Sequence, residues 1–244
     1  MIQNPAPASI AETGKDKERI RAMFNDIAPT YDFLNHLFSF GIDKRWRKFS
    51  IHSLLPHHPK MILDVATGTG DSAIETAGIL KPEKIIGIDL SANMISAGKE
   101  KLKQKNLEGV IEMVLGESEA LPFADATFDA ATVAFGVRNF SDLHKGMSEM
   151  YRVLKKDGRL VVLEFSRPRN FPVKQLFGFY FNTLLPFAGK LVSGHGSAYS
   201  YLPQSVSTFP DGDNFVAVLQ KAGFSEIKFQ KLSFGISTVY TAAK

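Results

Sequence analysis

The residues whose types and spacing suit them to chemistry gather first in one stretch, ILDVATGTGDSA, from Ile62 to Ala73. Mostly apolar residues lead into a glycine-threaded turn of the kind that lets backbone approach a ligand closely. Gly68, Gly70 and Ala73 satisfy the loose form of the dinucleotide fingerprint, and Asp89, in IIGIDLS, follows Gly70 by 19 residues at the end of the next strand. An acid so placed accepts hydrogen bonds from ribose hydroxyls. NAD and S-adenosylmethionine both carry such a ribose, so turn and acid leave the two tied.

Two features tilt the balance toward the sulfonium cofactor. Asp64 puts a carboxylate at the end of the first strand, where a pyrophosphate would be repelled and a methionine ammonium or its water shell attracted. A closing hairpin also stands where a dinucleotide binder needs its second nucleotide half. A strand-to-helix glycine turn without any ligand is the plain alternative, and the paired Asp89 speaks against it.

Other chemistries are thinly represented. The chain has no cysteine, which excludes disulfides, thiolate nucleophiles and thiolate metal sites. His57 and His58, in LPHHPK, lie between prolines with no third ligand at a recognisable spacing and read as loop residues rather than metal ligands. His195, in SGHGSAY, has glycine neighbours and a near-neutral pKa to tempt a general-base reading, but a surface-loop histidine is the commoner outcome.

The elements that must position the turn follow from pattern. From about Lys17, apolar Ile20, Met23, Phe24 and Ile27 recur at helical spacing, with breaks at Pro29 and Gly41 and with Asp43 placed to cap a further helix. After Pro59 the runs MILDV, KIIGID, IEMVL, FDAATVAF and RLVVLEF alternate with helices starting near Gly70, Ser91 and Ser141. That alternation predicts a parallel sheet with helices on both faces. The final 20 residues give two strand-like runs joined across Phe234-Gly235, a hairpin.

Length and charge bound the rest. The 244 residues suit one large α/β domain, with 44% hydrophobic and 22% charged residues. The net charge of +4, without a basic run interleaved with aromatics, predicts no nucleic-acid partner. MIQNPAPASIAETGKDK lacks an apolar core of signal-peptide length, which predicts a cytoplasmic protein.

Read together, MFNDIAPTYDFLNHLFSFGIDKRWRK, LDVATGTGD, GIDLSANMI, SEALPFADATFDAATVAFGVRN, YRVLKKDGRLVVLEFS and YLPQSVSTFP resemble, in order and spacing, the ubiquinone/menaquinone biosynthesis C-methyltransferase family of class I methyltransferases. The resemblance implies a Rossmann-like α/β fold, with a seven-stranded sheet ending in an antiparallel strand and cofactor along the carboxyl ends of the strands. It implies a flexible stretch over 1–16 and one methyltransferase domain over 17–244, with a helical cap over 17–58 and a hydrophobic substrate lid over 167–210. Thr67, Gly68 and Gly70 would face the methionine moiety of S-adenosylmethionine, Asp89 the ribose, and Glu117 with Ser118 the adenine. Two positions depart from the pattern. Ala66 replaces a common glycine, which predicts that this position avoids positive φ, and Ala134 stands where some relatives carry a serine.

A ring carbon becomes nucleophilic when an adjacent phenolic hydroxyl loses its proton, so the site needs a base or a cation there. Arg138, in AFGVRN, follows the fourth strand, and its fixed charge suits a quinol oxyanion; pairing with Asp142 is the competing reading. Asn139 would help to place it. Tyr31 would hydrogen-bond substrate from the cap, or else pin the cap to the sheet. Tyr199 and Tyr201 are candidate substrate-pocket residues.

Residues 167–210 hold nine aromatic and four basic residues, Arg167, Arg169, Lys174 and Lys190, and no carboxylate. QLFGFYFNTLLPFAG is 15 uncharged residues interrupted by Pro186, shorter than the roughly 20 a membrane span requires. Such a segment suits a cap over a long apolar substrate, a surface resting on an anionic bilayer, or a plain helical lid. The resemblance favours a polyprenyl-quinol channel, with demethylmenaquinol as acceptor, the ubiquinone-pathway benzoquinol as alternative, contact with the inner face of the membrane and no metal. An NAD-dependent reductase and a non-catalytic membrane-binding protein remain as readings from other classes.

Overall fold

The computed structural model describes residues 10–184 and 196–244, with side chains described from Lys17 onward except at 34, 35, 37, 38, 182, 184 and 196–200. Residues 1–9 of the expected flexible stretch, and Pro186, Lys190 and His195, lie outside this description.

Seven strands form one sheet: β1 Met61–Val65, β2 Lys84–Asp89, β3 Ile111–Leu115, β4 Phe128–Ala134, β5 Leu154–Phe165, β6 Ser225–Leu232 and β7 Ser237–Ala243. Their spatial order is β3-β2-β1-β4-β5-β7-β6. Strands β1 to β5 pair in parallel, and β7 runs antiparallel to both β5 and β6. The short apolar runs are strands because both faces of the sheet are covered, which leaves no solvated side for polar alternation. Ile62 points into a core with Trp46, Ile85, Ile95 and Val161. Its neighbour Leu63 points into the opposite core with Met150, Val162, Phe215 and Tyr240.

The first core is covered by α3 (Ile42–His52), α4 (Asp71–Leu80) and α5 (Ala92–Gln104), and the second by α6 (Leu143–Val153) and α9 (Asp213–Lys221). A third, smaller cluster joins α1 (Ile10–Ile27) through Ile27 and Ala28 to Met94, to Phe181 beyond α7 (Val173–Phe179), and to Val206 of α8 (Gly196–Thr208). A short helix, α2 (Tyr31–Phe38), connects α1 to α3.

Several boundaries differ from expectation. Helix α1 begins at Ile10 rather than near Lys17. Asp43 does not cap α3: Gly41 holds that position at φ 72°, and Asp43 is the second residue of the first turn, buried. Helix α6 starts close to Ser141 as expected, capped by Asp142, whose side chain accepts from the Lys145 N–H. Strand β5 starts at Leu154, before the run RLVVLEF.

Ala66 is the clearest reversal, because it adopts φ 52° where positive φ was expected to be avoided. The turn needs left-handed backbone at 66, 68 and 70 alike, and for alanine this costs about 1–2 kcal/mol. Its methyl is accommodated by Gly136, where any Cβ would lie 2.5 Å from the Ala66 Cβ.

Candidate active site

The order β2-β1-β4 places the switch in chain direction between β1 and β4, where ligands of open α/β sheets bind beyond the carboxyl ends of the strands. A crevice opens there, walled by Gly68 after β1, Asp89 at the end of β2, Gly116 to Glu119 after β3, and Ala134 to Gly136 after β4. The Asp89 carboxylate accepts the Gly68 N–H and the Ser91 N–H, each at 2.8 Å. An ionised carboxylate has about four acceptor sites, and with the Leu90 N–H also bonded to it acceptor capacity remains for a ligand hydroxyl. Burial pushes the Asp89 carboxyl above its ordinary value, against the backbone hydrogen bonds that favour its charge.

Glu117 and Ser118 line the same crevice, as do Tyr31 and Asn139. Helix α1 forms its roof. Lys17 pairs with Glu117 at 2.8 Å and Glu119 at 2.9 Å. Asn25 accepts from the Ser91 hydroxyl at 2.7 Å and from the Asn93 N–H at 3.2 Å, and its carbonyl accepts from the Asn93 amide at 3.0 Å.

A smaller lobe beneath Tyr31 is walled by Asp64, Thr67, Gly68, Asp71 and Arg47. Asp64 is committed to the protein: Thr67 and Thr132 each donate a hydroxyl to it at 2.6 Å. Burial, with a contribution from Asp89, pushes its carboxyl up. It therefore fixes the turn while walling this lobe. Gly70 is absent from the walls of these spaces: at φ 85° it bends the chain into α4 and packs near Met113.

The largest hollow, about 530 Å³, lies on the other side of Tyr31 and Phe135, which line all three spaces. That volume falls within the roughly 300–1,000 Å³ of small-molecule sites. Its walls are Phe24, Trp46, Phe165, Phe177, Phe181 and Leu202 among others, with Arg138 and Tyr201 on one side and Ser39, Asp43, Arg45 and Arg47 of the cap as further polar groups. The Tyr201 hydroxyl donates to Asn139 Oδ1 at 3.0 Å, tying α8 to the loop after β4. The side chain of Tyr199 lies outside the described residues.

Arg138 does not pair with Asp142. Its Nη1 donates to Glu164 Oε1 at 2.9 Å and to the Phe135 carbonyl. Its guanidinium rests over the Phe165 ring at 5.5 Å, and its buried Nε has no hydrogen-bond partner. Glu164 itself is fully buried and also accepts the Arg138 and Phe165 N–H groups. Sequence reasoning missed Glu164; an acid inside the apolar run RLVVLEF was the available signal.

A charged network under the glycine turn was missed as well. Lys101 of α5 donates to Asp32, to Asp71 at 2.8 Å and to Thr69 at 3.0 Å, and Thr69 donates to Asp32 at 2.5 Å. Arg47 donates to Asp43 at 2.6 Å, and His36 lies 2.9 Å from Asp43 and 3.3 Å from Asp71. The Asp43–Arg47 spacing of four on one helix was its only local trace.

Comparison with known proteins follows the same lines. A profile of the ubiE/COQ5 methyltransferase family matches residues 12–244. The chain is 51% identical over 231 residues to a demethylmenaquinone methyltransferase of Bacteroides fragilis, covering 95% of this chain and 94% of that one. It is 47% identical to the ubiquinone/menaquinone biosynthesis C-methyltransferase UbiE of Geobacter sulfurreducens, covering 93% and 89%. Among solved structures, a SAM-dependent methyltransferase from Thermotoga maritima matches in fold with a TM-score of 0.57 at 21% identity, covering 88% of this chain and 98% of that one.

Proposed function

This chain belongs to the ubiE/COQ5 methyltransferase family, and from that premise we propose that it moves a methyl group from S-adenosylmethionine to a ring carbon of a polyprenylated quinol, converting demethylmenaquinol to menaquinol. The observation that carries this reading is the pairing of a ribose-ready crevice with a large aromatic cavity across Tyr31 and Phe135. The B. fragilis relative is named for the menaquinone step. The G. sulfurreducens relative carries both pathway names, which keeps the ubiquinone-pathway 2-methoxy-6-polyprenyl-1,4-benzoquinol as the second acceptor.

The bound cofactor supplies an electrophilic methyl carbon on a sulfonium, whose neutral thioether leaving group needs no Lewis acid. The fit rests on Asp89, whose remaining acceptor capacity suits a ribose hydroxyl, with Thr67, Gly68 and Gly70 shaping the methionine end and Glu117 and Ser118 flanking the adenine. The chain must then align the acceptor and make it nucleophilic. Arg138 reaches the aromatic cavity, and Glu164 holds its guanidinium in place as a fixed charge suited to a quinol oxyanion. Tyr31 stands between cofactor crevice and cavity, where its hydroxyl serves the acceptor ring. Asn139, Tyr199 and Tyr201 act as substrate-binding residues; the Tyr201–Asn139 bond supports that reading for the first and last.

In this reading 17–58 is the cap and 167–210 the lid over the prenyl tail, in a cytoplasmic enzyme working at the inner face of the membrane. No helix among the described residues is long and apolar enough to cross a bilayer. The test is a labelled-methyl assay offering reduced demethylmenaquinol and the reduced ubiquinone precursor separately. Label in the menaquinol alone supports the first acceptor; label in the benzoquinol alone replaces it with the second; label in neither, with S-adenosylmethionine bound, overturns the acceptor class.

A further inference from the structure

We propose that the face of the protein around Phe40, Phe179 and Phe234 docks on an anionic lipid bilayer. The first observation is backbone. Phe40 and Phe234 are the two most exposed large apolar residues described, at 86% and 84%, and each sits at positive φ, 52° and 60°. A bulky residue in the left-handed region is uncommon and disfavoured, yet both rings remain largely exposed to solvent. The turns that carry them are nevertheless fastened. Ser39 donates to Asp43 at 2.6 Å beneath the first, and Trp46 donates to Ser233 at 2.9 Å beneath the second.

The second observation is α7, which is apolar on both sides. Phe177 and Phe181, just past its end, stack at 4.6 Å toward the large cavity, while Leu176 and Phe179 are 66% and 60% exposed. The Phe40 ring lies 6.3 Å from that of Tyr180, and Phe40, Tyr180 and Ile236 all wall the cavity. Three separate segments thus present aromatic side chains beside one hollow.

The third observation is charge. Exposed Lys44, Lys174 and Lys231 lie within five residues of Phe40, Phe179 and Phe234 respectively. Asp43, buried and bound to Arg47, is the only acid in 33–54, and neither 167–184 nor 227–244 contains any. An aromatic patch ringed by cations without free carboxylates is complementary to acyl chains under anionic headgroups. The docking stands on these observations, while collection of substrate from the bilayer rests on the quinol reading.

The test uses flotation of the full-length protein with phosphatidylglycerol-containing vesicles, compared with pure phosphatidylcholine. Lys231 and Phe234 belong to neither cap nor lid and line none of the three spaces described above, so Lys231→Glu with Phe234→Ser should keep turnover on a water-soluble, short-tailed demethylmenaquinol. The expected result is binding to the anionic vesicles, weaker with salt, and a loss of about tenfold or more in the double variant. With the quinol embedded in vesicles, turnover should fall in parallel. Failure of the wild type to float, or flotation of the double variant at wild-type level, overturns the proposal. So does self-association that the double variant abolishes without any vesicle binding. Vesicle binding lost in the double variant, with no quinol methylated by either protein, would uphold the docking and sink the quinol reading alone.

Discussion

At Asp89 the chemistry rests on one ionised carboxylate with backbone donors already attached. Asp89→Ala should weaken S-adenosylmethionine by about 1.5–3 kcal/mol, the scale of hydrogen bonds to a charged group, as read by calorimetry; unchanged affinity would remove it from the ribose. Because burial raises this carboxyl above its ordinary value, affinity should fall on acidification at a higher pH than for an exposed aspartate, as read by calorimetry across pH. Arg138→Ala should lower turnover while leaving cofactor affinity nearly intact. It also strands Glu164, which is wholly buried, and losing one partner of a buried pair costs about 3–5 kcal/mol of stability, so the melting temperature must be followed alongside the rate. Equal loss of turnover and cofactor affinity would reduce Arg138 to a structural role. The glycine turn, Asp89 and Arg138 stand out in the sequence because each lies in a local motif. Glu164 and Lys101 do not, because their partners are 26 and 69 residues away. Ala66 misled for a related reason: the space that tolerates its methyl belongs to Gly136, on another strand's loop.

Among the elements, α2, α3, α4 and α5 meet in the charged network under the turn, and the network is what fastens the cap to the sheet. Burial opposes the charges of Asp71 and Asp43, but the Lys101 hydrogen bond at the first, the Ser39 hydrogen bond at the second and the Arg47 and His36 charges prevail and hold both carboxyls below 3.8. A depressed acid contributes stability above its unfolded pKa and loses it as pH falls through the folded one. The network should therefore persist through mildly acidic solution and fail only below that ordinary value. Lys101→Met should cost about 1 kcal/mol, since these side chains are 20–30% exposed, and should speed hydrogen exchange in α2 more than in β1. Uniform protection loss across both would mean that the network supports the whole fold instead. The strands were legible as apolar runs and the hairpin as a break in alternation. The extra residues of β5 were not, because LKKDG carries the polarity of a loop and is held by distant partners, Phe128 opposite Leu154 and Lys244 against Asp157 and Gly158.

For the molecule as a whole, the sheet and its switch point follow from alternation that any parallel α/β chain shows, whereas the arrangement of cavities depends on how cap and lid fold over it. That arrangement has a temporal side. Helix α1 crosses the cofactor crevice, clasped by Lys17 at one end and Asn25 at the other. In the proposed reaction S-adenosylhomocysteine would depart past those clasps, and its release is then expected to limit turnover at saturating quinol. Lys17→Ala should speed that release in stopped-flow measurements and ease inhibition by the product; an unchanged release rate would show that the clasp opens freely. Loosening the clasp carries its own penalty, since a crevice that sheds product sooner also admits water to the methyl donor sooner, and the helix thereby sets a compromise between speed and fidelity.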